Sequence, residues 1–365
     1  MKPAKYAKVK FLNRDKSLFF SVLRENIDSY FETNSIEKTG GSKLLFKAFF
    51  LLSLYLIPFA LILTGNFTPL QMLFLTVVMG LGVAGVGMSV MHDAIHGSFS
   101  SSSKLNKFFG ASIYLLGGNV YNWDVQHNKL HHTYTNLHDI DEDITGKFML
   151  RLSSGDKLKA VHRFQHVYAF FLYSLMTISF FWKDFKEIGL YNKMAESGLV
   201  KRFPKKELVT LIISKIVYIS FICILPMLLL DITFGQWFAG FMTMHCTAGI
   251  ILSTVFQLAH VVEGASQPVV DEKGNIENAW AIHQLNTTAN FAGNNKILSW
   301  YIGGLDYQVE HHLFPNISHI HYPAIASIVK NTAEDFGIVY NNKHSFLKGL
   351  RSHVRMLHNL GHGVI

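Results

Sequence analysis

Two cysteines in 365 residues, Cys223 and Cys246, both within apolar runs, leave no disulfide framework and no thiolate set for zinc or an iron–sulfur cluster. Any tightly held metal must therefore rest on nitrogen or oxygen. Charge is scarce too, at 16% of residues against 49% hydrophobic, and one membrane-embedded domain accounts for that balance better than two soluble ones. The formal charge of +8 comes without a legible nucleic-acid-binding module. Lys and Arg instead flank apolar stretches, the pattern of a positive-inside bias and of attraction to anionic lipid. Lys2, Lys5, Lys8, Lys10, Arg14 and Lys16 precede any apolar stretch, so the start of the chain does not read as a cleavable signal peptide. No HPGG haem-binding motif, internal repeat or low-complexity tract stands out.

Four apolar runs are present, at about 45–65 with a kink expected at Pro58, and at about 70–91, 208–230 and 233–258. At about 1.5 Å per residue each covers a hydrocarbon core of about 30 Å, which predicts four transmembrane helices. Gly80, Gly82, Gly85 and Gly87 spell GxGxxG in the second run. No strand precedes them and the apolar run continues through, so close helix packing is the reading rather than a dinucleotide fingerprint. Lys215 in the third run is expected to snorkel or to pack within the bundle. Leu105 to Val120 and Val167 to Trp182 are short for spans and predict interfacial or half-embedded helices. Lys129, Lys147, Arg151, Lys157, Lys159 and Arg163 lie between them.

The turn at 66–69 and the loop around Asp231 carry no Lys or Arg, which assigns both termini and the basic segments to the cytosol. The expected fold class is all-α integral membrane: four transmembrane helices, interfacial helices and a cytosolic His-rich cap. Residues 1–44 form a lead-in, 45–340 the membrane domain and 341–365 a basic tail. The tail's His344, His353, His358 and His362 lack ligand spacing.

Histidine elsewhere is clustered: His92 and His96 at the end of the second run, His127, His131 and His132, and His311 and His312 after Gln308. On an α-helix His127 and His131 share a face while His132 lies about 100° round, so one face predicts one metal and the adjacent face another. His260 leaves the fourth run much as His92 leaves the second and joins the set. A lone histidine is commonly surface or satisfied core, but eight clustered imidazoles exceed the four ligands of a single zinc and suit two transition ions. His138 falls outside the pattern, and His245, in mid-span, is expected to be hydrogen-bonded within the bundle. Asp93, Asp139, Glu263 and Glu310 stand beside the clusters and are candidates to accept the distal ring N–H of a ligand. Asp141, Glu142 and Asp143 read equally well as a solvated loop.

HDAIH at 92–96, HNKLHH at 127–132 and QVEHH at 308–312 resemble the three histidine boxes of membrane fatty-acid desaturases. Gly303-Gly304 before the third box and Leu-Phe-Pro315 after it are similar to the front-end branch, of Δ5/Δ6 or linoleoyl-CoA type, and the resemblance covers about residues 40 to 340. It implies two iron ions ligated by His92, His96, His127, His131, His132, His260, His311 and His312. Gln308, standing where many members have histidine, becomes a further candidate ligand. It also implies O2, an electron carrier of ferredoxin or cytochrome b5 type with its reductase, and a fatty-acyl substrate on CoA or lipid. The product would carry a cis double bond between an existing one and the carboxyl end. Gln284, Thr287 and Thr288 resemble a family stretch near the substrate channel, which Trp123, Trp280 and Trp300 would help to wall. A bacterial inner membrane is favoured over the endoplasmic reticulum. A hydroxylase with the same boxes is the alternative. A multi-haem cytochrome is disfavoured because the boxes cluster too tightly for separate haems, and a metal transporter because no polar path crosses the bilayer.

Overall fold

The computed structural model describes residues 9–13, 16–145, 149–293 and 295–365; of the basic positions above, Lys2, Lys5, Lys8, Arg14 and Lys147 lie outside the described residues. Among the described residues four helices are long and apolar enough to cross a bilayer: Gly41–Leu63, Pro69–His96, Lys205–Leu229 and Phe234–His260. They fall on the four expected runs. The second overshoots its apolar stretch, because helical winding carries on through His92 and His96 before Gly97, at φ 78°, ends it. Thr68 and Thr233 open the second and fourth helices with reciprocal capping boxes to Gln71 and Gln236.

The bundle is inverted relative to a soluble protein. Phe46, Phe49, Leu70, Phe74, Val217 and Leu228 all present large exposed apolar side chains, which a chain in water would aggregate through and which a bilayer accommodates. Inside, the four glycines of the second span perform the close packing that their spacing predicts. A Cβ on Gly82 would stand 2.6 Å from the Tyr55 backbone nitrogen, and one on Gly80 2.7 Å from the Met244 carbonyl. The first and fourth spans therefore press backbone to backbone against the second. Lys215 is packed rather than snorkelling, its Nζ donating to the Gly117 and Phe180 carbonyls and pairing with Asp184.

The two doubtful stretches are resolved by counting crossings. His92, His96 and His127 converge on one point, so the chain between residues 97 and 126 crosses the bilayer an even number of times. It folds as the short helices Ser103–Gly110 and Ala111–Leu116, neither long enough to cross alone. Between His131 and His260, which also converge, the third and fourth spans already make an even pair. The intervening helices Ala160–Ser174 and Met176–Glu196, bent by 79° to one another, thus add no net crossing.

Both ends of the chain pack on the same pole. Helix Phe19–Thr33 buries Phe19, Leu23 and Ile27 with Ile325 and Val329 of helix Tyr322–Asp335, and Lys10–Phe11 pairs in parallel with Asn275–Ile276. Helix Phe346–His362 buries Met356, Leu357 and Leu360 with Ala169 and Tyr173. Its His353 donates from Nδ1 to the Val261 carbonyl and accepts from Tyr173.

Gly82→Ala should destabilise the protein by about 1–3 kcal/mol, because the added methyl meets backbone that cannot step aside. Gly235→Ala, whose nearest neighbour would be 3.9 Å away, is the matched control. Thermal melts in detergent check the pair, and equal midpoints would contradict this packing.

Candidate metal centre

The second box does not sit on an α-helix. Residues Asp124–His131 wind as a π-helix between the short α-helical turns Val120–Trp123 and His132–Tyr134, and a second π segment, Val86–Met91, immediately precedes His92. The wider winding, with i→i+5 periodicity, aligns His127 with His132 rather than with His131 alone. The Nε2 atoms of His127 and His132 stand 3.2 Å apart. This corrects the face assignment that α-helical spacing gave. Nitrogen atoms of His92, His96, His127 and His311 converge within 4.8 Å of one another, and those of His131, His260 and His312 form a second such set. The His132 ring lies between, 4.8 Å from His96 and 4.4 Å from His312 by centroid. His127 and His131 also converge with the half-exposed Asp143.

Four of the rings are held from behind by hydrogen-bond partners. His131 Nδ1 donates to Asp141 at 3.0 Å, and Asp141 accepts as well from the Asn136 backbone N–H. His260 Nδ1 donates to the Thr287 carbonyl, His312 Nδ1 to Gln284 Oε1 at 2.9 Å, and His311 Nδ1 faces the Tyr322 hydroxyl at 3.1 Å. His92 Nδ1 faces Asp93 at 3.5 Å. The opposite nitrogens, Nε2 of His92, His96, His260, His311 and His312, are buried with no protein partner among the described residues. A buried polar atom left without a partner costs roughly 1–3 kcal/mol. Several pointing at two shared positions fit bound cations.

The electrostatics agree. Burial, and then the neighbouring imidazoles, hold His127, His132, His311 and His312 well below the ordinary histidine range. Their lone pairs are thus free for a metal. His131 is the exception: burial acts against its charge, but the Asp141 carboxylate and then Asp143 raise it.

The remaining candidates scatter. Asp93 lies behind the first set, whereas Glu310 turns away from the ring cluster to accept from Asn290 and Tyr340, each at 2.7 Å, its carboxyl pushed up to about 7 by burial. Asp139 sits beside His138, and Glu263 faces Arg355 of the C-terminal helix at 3.8 Å. Gln308 is buried within a turn of His311, its amide nitrogen without a partner among the described residues. Gln284 and Thr287 support ring nitrogens as above, and the buried Thr288 Oγ1 has no partner among the described residues. Trp123 packs on His127 at 4.4 Å and near His92 and His96. Trp280 donates to the His132 carbonyl. Trp300 stands at the rim against Phe50, 40% exposed. His245 is bonded to Tyr218 and Thr177. Sequence reasoning missed Thr135, Asn136, Tyr322 and His319; a string of HIHY directly after the third box was the one available signal, and nothing in spacing marks the others.

On loading the metal-free protein with a divalent transition metal, proton release should come more from His131 than from His127, His132, His311 or His312, because the Asp141 carboxylate raises it while burial and neighbouring imidazoles lower the other four. Asp141→Asn, which removes that charge, should therefore reduce the proton release. An indicator dye in weak buffer reads it across a pH series; release unchanged in Asp141→Asn would contradict the assignment.

A family model, fatty acid desaturase, matches residues 67–344. The sn-1 linoleoyl-lipid 6-desaturase of Synechocystis sp. is 32% identical over 94% of this chain and 95% of its own. The protein of the same name from Arthrospira platensis is 31% identical over 93% of this chain and 91% of its own. An acyl-lipid (8-3)-desaturase of Physcomitrium patens is 30% identical over 98% of this chain and 74% of its own. The matched region contains all three boxes and His260, so the chain belongs to the fatty acid desaturase family, as a membrane oxidoreductase that desaturates fatty acyl chains.

Proposed function

We propose that the chain is a front-end desaturase of already unsaturated acyl chains carried on membrane lipid, with two iron ions in the two imidazole sets and its metal centre facing the cytosol. The observation that carries the reading is the convergence of eight imidazoles, seven of them buried and His96 partly so, with several nitrogens unpartnered among the described residues, where the second and fourth spans end. Bound there, iron supplies the redox chemistry that removes two hydrogens from an unactivated methylene pair, with O2 as terminal acceptor. The balance is one CH2–CH2, one O2, two electrons and two protons giving one CH=CH and two waters. The two electrons come from a separate carrier of ferredoxin or cytochrome b5 type, since the described chain offers no haem motif and no paired thiols.

The protein's own work is binding and exclusion. His92, His96, His127 and His311 hold one ion; His131, His260 and His312 hold the other, with His132 between. Asp93, Asp141, Gln284, Thr287 and Tyr322 fix the rings so that each presents one lone pair inward. Trp123 covers the first set and keeps water from it. Gln308, buried three residues before His311, either holds a water or offers its amide oxygen to the nearer ion. The front-end assignment rests on this glutamine and on the two cyanobacterial relatives whose names give a linoleoyl-lipid substrate and position 6. Cytosolic placement is supported by the bare loops at 64–68 and 230–233, which lie at the opposite ends of the spans from the histidines. A bacterial inner membrane fits the same reading.

Expression in a host fed linoleate, followed by gas chromatography of the lipid fractions, should show a new double bond at C6 in lipid-bound acyl chains, and His311→Ala should remove it. A bond on the methyl side of the existing one, or at C9 of a saturated chain, would overturn the front-end assignment. A hydroxylated product would favour the alternative reaction on the same centre.

A further inference from the structure

Lys47 is a charge that the spanning helices have no evident reason to keep. It lies seven residues into the first span, Gly41–Leu63, and only 2% of it is exposed. A buried, unpaired ammonium would cost several kcal/mol. It is not unpaired: Nζ stands 2.9 Å from His319 Nε2 and 5.1 Å from the centre of the Trp300 ring. His319 follows the third box, is itself buried, and places Nδ1 2.7 Å from Asp93 Oδ2. Ser318 Oγ donates to the same carboxylate oxygen at 3.3 Å. The other oxygen, Oδ1, faces His92 Nδ1.

The carboxylate fixes the directions in this chain. Asp93 only accepts, so His319 Nδ1 carries the proton donated to Oδ2, and Nε2 of the neutral ring accepts from Lys47. With Oδ2 occupied by His319 and Ser318, Asp93 turns Oδ1 toward His92 Nδ1 across a 3.5 Å ion contact, longer than a formed hydrogen bond. The carboxylate there favours the proton on Nδ1 and a bare Nε2 on His92, a member of the first imidazole set. The same arrangement sets a cation and an anion at the two ends of one imidazole in a low-dielectric interior. The segment is anchored from the backbone as well: Gly40 and Gly41 donate to the Ser98 and Phe99 carbonyls, and Ser318 N–H donates to Lys38. Three distant stretches, 38–47, 93–99 and 318–319, are thus tied at one metal ligand.

We propose that Lys47 and His319 are positioning residues for the first metal, acting on His92 through Asp93. The inference rests on the two-metal reading above. Neither side chain reaches the metal position, and neither belongs to a histidine box. Partners at this remove typically alter metal affinity by about 10–100-fold.

The test uses full-length protein in detergent loaded with iron, and follows iron loss to a coloured ferrous chelator. Lys47→Met and His319→Ala should each release one of the two irons at least about tenfold faster than wild type, the other at the wild-type rate. His319→Asn, whose amide nitrogen can take the place of ring Nδ1 and donate to Asp93, should retain iron better than His319→Ala. Wild-type release kinetics in both Lys47→Met and His319→Ala would overturn the proposal, and so would equal loss in His319→Asn and His319→Ala, which would reduce the ring to packing. Should Lys47→Met fail to fold, the His319 pair decides alone. Wild-type protein that binds no iron is a separate outcome, visible before any variant is made, and would sink the two-metal reading itself.

Discussion

The structure depends on keeping eight clustered imidazoles at one end of an apolar bundle with ring nitrogens turned toward one another. Alone, any of these rings would be paired or solvated; together they leave buried nitrogens with no partner among the described residues, an arrangement that is costly without cations and favourable with them. Mutual repulsion among the rings, added to burial, keeps most of them uncharged. The outward nitrogens of His131, His260, His311 and His312 are met by a carboxylate, a carbonyl, a hydroxyl and an amide, which fixes those four rings. The rest of the fold supplies the means of bringing eight such rings to one depth.

Helix length and winding do most of that. The second span is long enough for one further turn beyond the apolar run, which lifts His92 and His96 to the surface of the bundle, and the fourth ends on His260 in the same way. Backbone contact through Gly80 and Gly82 fixes the lateral distance between these two spans and the first. The π segments before His92 and through the second box rotate the following side chains relative to an α-helix. Such segments cost hydrogen-bond quality and are kept where a site needs the rotation. The short helix Gln308–Leu313 then closes the ring set from above, with Gly303, at φ 69°, pressed on the Met88 carbonyl of the second span and Gly304, at φ 66°, pressed on His319.

Much of this was legible in the chain. Apolar run length gave all four spans, because a bilayer imposes its thickness on sequence more rigidly than any soluble core does. Histidine spacing gave the ligand candidates, and the absence of usable cysteine narrowed the chemistry. The pairing of rings into sets was not legible: His127 and His131 look like partners at i, i+4, and nothing in DVQHNKLH announces π winding. The supporting shell was half visible. Asp93 adjoins a box, but Asp141 hid in an acidic stretch that resembles a solvated loop, and Glu310, beside His311 in sequence, points the other way. Lys47 was visible as a charge in a span, and its meaning depended on a contact 272 residues away.

The central claim is that the histidines form two metal positions rather than one. The most direct measurement is iron per chain in active protein purified without added zinc, alongside variants that remove one ligand unique to each set, His96→Ala and His260→Ala. The account predicts two irons per chain in the wild type and a drop toward one in either variant. Fully active protein that holds a single iron, or variants that both retain two, would contradict it.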